Sequence, residues 1–251
     1  MVYVTGDVHG YFGRVERFCA RRGLGAGDVL VILGDACINF WGDEADDELK
    51  RRLAKLPCTL LCVHGNHEMR PWRVTGCEPR DWRGGTVWAQ GAYPNLLFAQ
   101  DGSIFELDGA SCLVAGGAYS VDREWRVADG RRWFADEQPG PEQKAAVEEA
   151  CDRARWRVDY VFSHTCPLEW RPAAAFKARK RADLVDTSTE EWLSGVERRL
   201  TFRRWMHGHF HVENLDPARP VWCLFKSVVE LSTGRVVYDE AADLASLGGA
   251  P

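Results

Sequence analysis

The amino-acid sequence predicts an α/β protein in which two β-sheets pack together. In the first third of the chain, short apolar runs of strand type alternate with segments of helical periodicity. From Thr86 onward the pattern changes to short strands separated by turns, which is typical of antiparallel pairing. No repeat and no break in composition divides the chain, so we expect one domain over residues 1–240.

The first third of the chain predicts a parallel sheet. Apolar runs indicate strands at Val2–Thr5, Val29–Leu33 and Thr59–Val63. Between them, Tyr11–Arg22 has apolar residues at helical spacing, and Asp46–Lys55 is the second helical segment. This βαβαβ order predicts parallel strands with right-handed crossovers. The carboxyl ends of the strands then share one edge of the sheet, which is where ligands bind in such folds.

The rest of the chain predicts more strands, one long helix and a flexible end. Turns are expected at Asp108-Gly109 and Thr233-Gly234, a helix opened by proline at Pro141–Trp156, and a flexible tail over residues 241–251. We expect the last three strands to pair antiparallel. The predicted strands are Thr86–Trp88, Ile104–Leu107, Cys112–Ala115, Val158–Phe162, Trp222–Phe225, Val228–Leu231 and Val236–Tyr238.

The composition predicts a soluble cytoplasmic protein. Nine cysteines without a Cys-x-x-Cys pair are typical of reduced thiols. No apolar run approaches the roughly 18 residues of a membrane helix, and Met1–Asp7 has no basic leader of the signal-peptide type. The net charge of −5 argues against nonspecific binding to nucleic-acid backbones, but it is compatible with small phosphorylated substrates.

Five short motifs carry most of the polar chemistry, and each follows or nearly follows an apolar run. They are Gly6-Asp7-Val8-His9-Gly10, Gly34-Asp35, Gly65-Asn66-His67-Glu68, Phe162-Ser163-His164-Thr165 and Gly208-His209-Phe210-His211. Their carboxylates, amide and imidazoles suit divalent ions such as Mn, Fe, Zn or Mg. One four-coordinate site needs fewer ligands, so we predict two adjacent metal ions, a centre suited to splitting phosphate esters.

In this order, the motifs resemble those of the calcineurin-like metallophosphoesterases from Asp7 to His211. The resemblance implies a two-sheet β-sandwich flanked by helices, in αββα layers, with a two-metal centre at the strand ends. Longer stretches are similar to a small bacterial and phage branch described as Ser/Thr-phosphatase-like. These stretches are Gly65–Pro71, Gly116–Arg126, Ser163–Pro167 and Thr187–Trp192.

Matched motif by motif, the resemblance assigns metal ligands and a catalytic histidine. His67 would be the general acid beside the leaving-group oxygen, and a metal-bridging hydroxide would be the nucleophile. Manganese is the first expectation for both ions, with iron, zinc and magnesium as alternatives. The first ion would be held by Asp7, His9 and His211, the second by Asn66, His164 and His209, and both by a bridging Asp35.

The chain departs from the phosphoprotein phosphatases of this superfamily where those enzymes grip phosphate. They have Gly-Asp-x-x-Asp-Arg, whereas Ile38 and Asn39 occupy the last two places here. Their arginine before Gly-Asn-His-Glu is replaced by His64. Either other arginines bind the phosphate, or the substrate is a diester or otherwise less charged. The candidate substrate-binding arginines are Arg123 and Arg126, followed by Arg70.

Three functions stay open at this stage. The first is a phosphatase acting on a small phosphorylated substrate or a phosphopeptide. The second is a phosphodiesterase acting on cyclic or linear nucleotides. The third is a non-catalytic binding scaffold on the same fold, which we rank last because such scaffolds are expected to lose the general acid or some metal ligands.

Several residues near the motifs have a structural and a functional interpretation. His64 and His207 are interpreted as packing residues, and Trp41 and Trp125 as core or loop anchors, with a wall of the substrate cleft as the alternative. The basic run Lys177–Arg181 is interpreted as a solvated face, with a phosphate-attracting lid as the alternative.

Overall fold

The computed structural model describes residues 1–173 and 185–248, and it has two β-sheets with helices on their outer faces. One sheet has eight strands in the order β13-β12-β1-β2-β3-β6-β5-β4, and the other has five in the order β11-β10-β9-β8-β7. The strands are β1 Val2–Thr5, β2 Val29–Ile32, β3 Thr59–Cys62, β4 Cys77–Trp82, β5 Gly85–Gln90, β6 Leu96–Ala99, β7 Ile104–Leu107, β8 Ala110–Ala115, β9 Tyr160–Ser163, β10 Arg204–His207, β11 Val221–Cys223, β12 Ser227–Glu230 and β13 Val236–Asp239.

Helices cover the outer faces of both sheets, so three clusters of buried apolar residues lie between the layers. The described helices are α1 Gly13–Arg22, α2 Glu44–Leu53, α3 Arg123–Ala128, α4 Pro141–Arg153, α5 Ser188–Glu197 and α6 Glu240–Gly248, with short 3₁₀ turns at Pro71–Arg73 and Leu168–Trp170. None of these described helices is long and apolar enough to cross a membrane.

Successive side chains of a strand point to opposite faces of the sheet. The central strands are apolar throughout because both faces are buried. In β2, Val29 and Val31 belong to the cluster between the two sheets, whereas Leu30 and Ile32 belong to the cluster that contains Phe18 of α1. Both faces of this strand are therefore buried, which is why it reads as an unbroken apolar run. A third cluster packs α4 and α5 on the five-stranded sheet. The layers follow the expected αββα order.

The predicted parallel core is confirmed. Strands β1, β2 and β3 run parallel to one another, and β9 runs parallel to both β8 and β10. The Asp108-Gly109 turn joins β7 to β8, with both residues at positive φ. These parallel strands place the segments that follow β1, β2, β3, β9 and β10 at carboxyl ends of the two sheets.

One expectation for the end of the chain is wrong. The strand predicted at Trp222–Phe225 was expected to be antiparallel, but β11 pairs parallel with β10, with Val221 opposite Trp205. Residues 241–248 of the predicted flexible tail form most of α6. Asp243 anchors this helix, because its carboxylate accepts hydrogen bonds from Tyr238 Oη and Arg17 Nε, each at 2.7 Å.

Candidate metal centre

The structure brings all seven predicted metal ligands together at the strand ends. Each ligand lies in a loop directly after a strand: those after β1, β2 and β3 belong to one sheet, and those after β9 and β10 belong to the other. The ligands come from both sheets, so the packing of the sandwich creates the site. They are Asp7, His9, Asp35, Asn66, His164, His209 and His211.

Asp7, His9 and His211 form the first candidate ligand set. The Nε2 atoms of His9 and His211 are 2.8 Å apart. Asp7 Oδ2 lies 3.2 Å from the His211 nitrogen and 3.6 Å from the His9 nitrogen. This carboxylate oxygen is buried and makes no hydrogen bond within the described chain. A carboxylate oxygen and two imidazole nitrogens at these separations suit one divalent ion.

Asp35, Asn66, His164 and His209 form the second set, which adjoins the first. His164 Nε2 is 3.6 Å from Asp35 Oδ2 and 2.8 Å from Asn66 Oδ1. The rings of His164 and His209 have centroids 5.0 Å apart. Asp35 Oδ2 also lies 3.8 Å from His9 Nε2, so this carboxylate faces both sets.

The hydrogen bonds around His164 show that a cation fits between its ring and Asn66. His164 Nδ1 lies 2.8 Å from the carbonyl oxygen of Leu33, which only accepts, so Nδ1 carries the hydrogen. In the neutral ring, Nε2 is then an acceptor that faces another acceptor, Asn66 Oδ1, at 2.8 Å. Two lone pairs at this distance repel unless a cation, either a metal ion or a second ring proton, neutralises them. The donor set therefore fits a bound metal.

Burial and neighbouring charges keep two of these ligands, His209 and Asp7, in metal-binding protonation states. Burial, reinforced by His164, lowers the pKa of the His209 imidazole to about 3. Burial opposes ionisation of Asp7, but the His211 and His9 imidazoles lower the pKa of its carboxyl well below the usual value. Metal ions bind neutral imidazoles and ionised carboxylates.

Four of the ligands have an unusual backbone conformation. His9, Asp35, His209 and His211 have φ angles of 51°, 46°, 69° and 55°. Non-glycine residues in this left-handed region cost about 1–3 kcal/mol each and cluster at functional sites, where the surrounding structure holds them. The motif glycines allow the loops to approach closely. A Cβ on Gly65 would lie 2.1 Å from Asp35 Oδ1.

His67 lies beside both ligand sets. Its backbone N–H donates to Asp35 Oδ1 at 2.8 Å, and its ring centroid is 5.7 Å from that of His9. Among the residues that the structure describes, no side chain is seen to hydrogen-bond the His67 ring. The neighbouring Glu68 is structural: its carboxylate is buried and accepts the N–H groups of Gly65 and Cys37. Burial, together with Asp35, raises the pKa of Glu68 to about 8.

A cleft of about 1390 Å³ opens over the ligands. Among the described residues, four cationic side chains line it: Arg14, Arg126, Arg171 and Lys226. Trp41 also lines it and is 53% exposed, which supports the cleft-wall interpretation of this residue, whereas Trp125 lies outside the lining.

Sequence reasoning missed Arg171 and Lys226 because neither matches a motif. Arg171 lies seven residues beyond His164, and this proximity was the one available signal. The basic run Lys177–Arg181 lies outside the described residues.

The three predicted substrate-binding arginines have different surroundings. Arg126 lines the cleft, where its Nε donates to Asp122 Oδ2 at 2.7 Å. Arg123 lines a separate pocket of about 500 Å³, with its guanidinium 4.5 Å from the ring centroid of Trp133. Arg70 is 1% exposed and bonds Asp101 through Nη1 at 2.7 Å. The structure therefore does not bring Arg70 or Arg123 to the cleft, whereas Arg126 lines the cleft together with its partner Asp122.

The corrected position of Arg70 predicts a stability effect. We expect Arg70→Met to lower the free energy of unfolding by about 3–5 kcal/mol, because it leaves the buried Asp101 carboxylate without its counter-charge. Urea unfolding of metal-free protein measures this loss. Arg73→Met is the matched control, since the Arg73 side chain is 58% exposed and its bond to Asp136 is a surface ion pair of about 0–1 kcal/mol. Equal losses in both variants would contradict the prediction.

His64 and His207 are buried away from the cleft, as the packing interpretation requires. His64 is 5% exposed, and its backbone carbonyl accepts the N–H of Gly117. Burial lowers the pKa of His207 to about 4. Arg14 is a positioning residue that the sequence did not indicate. Its guanidinium donates to the carbonyl oxygens of Gly6 and Asp7 at 2.9 and 2.6 Å and thereby holds the first motif.

Comparisons with known proteins agree with this architecture. A sequence model of the calcineurin-like phosphoesterase family matches residues 1–213. Among solved structures, TT1561 of Thermus thermophilus is similar at a TM-score of 0.52 and 11% identity, over 94% of this chain and 96% of that chain. The phosphopantetheinyl hydrolase (PptH) from Mycobacterium tuberculosis aligns at a TM-score of 0.36 and 18% identity, over 89% of each chain. No curated protein matches the chain.

The structure is a two-sheet sandwich with candidate metal-ligating side chains at its strand ends, an arrangement that suits a metal-dependent hydrolase. The match over residues 1–213 shows the family, and the chain belongs to the calcineurin-like phosphoesterases. The protein is therefore a metal-dependent hydrolase of phosphate esters. The similarity to TT1561, at 11% identity, supports the fold alone.

Proposed function

We propose that the protein is a dinuclear metal-dependent phosphatase that uses His67 as its general acid. One observation carries this proposal: two adjacent ligand sets, an imidazole outside both sets and four cationic side chains of the described residues meet in one cleft. The retained ligands and His67 argue against a non-catalytic scaffold. The cleft, about 1390 Å³, exceeds the roughly 300–1,000 Å³ of a typical small-molecule pocket. This size leaves room for a phosphopeptide as well as for a small phosphorylated substrate.

The metal ions would be held by the two ligand sets described above, with Asp35 between them. When bound, two divalent ions neutralise phosphoryl oxygens and lower the pKa of water towards neutrality. Manganese is our first candidate, with iron, zinc and magnesium as alternatives, because all accept mixed nitrogen and oxygen ligands.

The chain itself would bind the phosphate and move the proton. Arg126 lies on the cleft wall and supplies a charged donor for the non-bridging phosphate oxygens. His67 donates a ring proton to the oxygen of the departing alkoxide, which is a poor leaving group. Proton donation of this kind contributes about 10²–10⁴-fold to the rate.

The deciding experiment compares phosphate ester classes with manganese-loaded protein. Aryl phosphomonoesters and diesters are assayed first, followed by a panel of phosphopeptides and cyclic nucleotides. We expect a higher kcat/KM for monoesters. An absence of hydrolysis in every class with metal bound would contradict the proposal.

A phosphodiesterase for cyclic or linear nucleotides is the second candidate, and one observation favours it. Ile38, Asn39 and His64 replace the phosphatase residues that orient the acid and grip phosphate, and all three are buried outside the cleft lining. A diester carries less charge than a monoester dianion and needs fewer cationic contacts. A higher kcat/KM for diesters would support this candidate.

Arg126 should discriminate between the two ester classes. We expect Arg126→Ala to raise KM for monoesters more than for diesters, because a charge-assisted contact to phosphate is worth about 1.5–3 kcal/mol, or roughly 10–150-fold. Arg123→Ala is the matched control, since Arg123 lies on the same helix but stacks on Trp133 outside the cleft. Steady-state kinetics with both ester classes measure the effect. Unchanged kinetics in Arg126→Ala would contradict this role.

A further inference from the structure

The amide of Asn66 has two ends of nearly equal shape, but only its oxygen binds a metal ion. We propose that Ser120 and Glu137 form a positioning pair that keeps the oxygen of Asn66 turned towards the metal centre. The inference rests on the proposed metal site, and it assigns a role to two residues outside the five motifs.

The first step is the contact between Asn66 and Ser120. Asn66 Nδ2 donates to Ser120 Oγ at 2.8 Å, while Asn66 Oδ1 lies 2.8 Å from His164 Nε2 in the second ligand set. Both Asn66 and Ser120 are 1% exposed. Water is therefore a poor substitute for either contact, and the direction of the Ser120 hydroxyl hydrogen decides which end of the amide faces Ser120.

The second step is the commitment of the Ser120 hydroxyl hydrogen to Glu137. The Ser120 hydroxyl donates to Glu137 Oε2, and the Ser120 backbone N–H donates to Glu137 Oε1 at 3.0 Å. Trp133 Nε1 also donates to Oε2, at 2.7 Å. Glu137 is 2% exposed and accepts three hydrogen bonds, as an ionised carboxylate does.

The consequence is a fixed direction along the chain of hydrogen bonds. A hydroxyl group has one hydrogen, so Ser120 Oγ can only accept from Asn66 once that hydrogen is bound to Glu137. Asn66 must then present Nδ2 to Ser120 and Oδ1 to the metal. A free Ser120 hydroxyl could instead donate to the amide oxygen, which would turn the Nδ2 group towards the metal.

The positions of the two residues explain how they reach Asn66. Ser120 lies between β8 and α3, and Glu137 lies between α3 and α4. Both therefore belong to the segment of residues 116–140 that joins β8 to α4. Trp133 lies in the same segment, and its Nε1 donates to the Glu137 carboxylate. The hydrogen bond between Ser120 and Asn66 therefore connects this segment to the loop that follows β3.

The test is manganese binding to metal-stripped protein, measured by isothermal titration calorimetry. Glu137→Gln keeps the side-chain shape, but its single oxygen cannot accept all three hydrogen bonds. We expect the affinity for Mn²⁺ to fall about 10–100-fold, the usual cost of removing a partner of a metal ligand. Asp243→Asn is the matched control, because Asp243 is also buried and accepts a hydrogen bond from a hydroxyl but does not itself line the cleft. Its Mn²⁺ affinity should equal that of the wild type.

Testing Glu137→Gln in an Asn66→Asp background separates the effect of amide orientation on Mn²⁺ affinity from the effect of losing one negative charge. In Asn66→Asp both ends of the side chain are oxygens, so adding Glu137→Gln should not weaken Mn²⁺ binding further. An equal loss in both backgrounds would overturn the proposal, and so would an unchanged affinity in folded Glu137→Gln. Ser120→Ala, which removes only the hydroxyl, should also weaken binding and decides the matter if Glu137→Gln does not fold.

The readout is independent of the proposed phosphatase activity. Wild-type protein that binds manganese without hydrolysing any ester would contradict the proposed function, while the variant affinities would still test the positioning pair. Active wild-type protein with unaffected variants would contradict only the pair.

Discussion

His67→Ala is expected to lower kcat by about 10²–10⁴-fold for substrates with alkoxide leaving groups. The physical reason is that an alkoxide departs slowly without a proton, and His67 is the imidazole that lies beside both ligand sets without belonging to either. Metal content should stay near the wild-type value, because the link between this residue and Asp35 runs through the backbone N–H and survives the substitution. Steady-state kinetics and elemental analysis of the same preparation measure the two quantities.

The identity of the leaving group provides the internal control for this variant. Nitrophenolate leaves without a proton, so the loss should be much smaller for nitrophenyl phosphate than for an alkyl phosphate. Equal losses on both substrates would show that His67 maintains geometry and does not donate a proton.

Asp35→Asn is expected to reduce both metal content and activity. Asp35 is 1% exposed, and its Oδ2 atom lies 3.8 Å from His9 Nε2 and 3.6 Å from His164 Nε2. An amide keeps the shape but removes the negative charge that would lie between the two proposed metal ions. We expect fewer than two ions per chain and a loss in kcat/KM of at least about 100-fold, since even the partners of metal ligands cost 10–100-fold.

Elemental analysis of protein purified without chelator measures the metal content of this variant. Asp243→Asn again serves as the matched control, because it alters a buried carboxylate outside the cleft lining and should retain the wild-type metal content. An Asp35→Asn protein with a full complement of metal and wild-type activity would contradict the dinuclear proposal.

Most of the candidate ligands could be predicted because each is tied to a strand by short-range sequence. Asp7, Asp35 and Asn66 all follow a buried apolar strand within four residues. Parallel pairing of β1, β2 and β3 then carries their side chains to the same edge. The apolar strand pattern and the parallel pairing therefore both place these side chains at one edge of the sheet, which explains why the motifs alone indicated a metal centre.

Two of the strands that were missed, β4 and β10, have weak local patterns, whereas the missed β6 is a four-residue apolar run. Strand β4 contains Pro79 and is mostly exposed, as a strand at the edge of a sheet can be. Strand β10 has only four residues and begins with Arg204. The direction of β11 was predicted wrongly because the sequence of a short strand does not show which neighbour it joins. That choice depends on β10, which β11 meets in the assembled sheet.

The sequence by itself determined the α/β class, the order of the motifs and the ligand types, because strand periodicity and donor chemistry are properties of neighbouring residues. Only the tertiary structure decided which of the three candidate arginines lines the cleft. Arg70 is held by Asp101 and Arg123 by Trp133, whereas Arg126 lies in the cleft. The position of a long cationic side chain depends on the partners that folding brings to it, and those partners are distant or unmarked in the sequence.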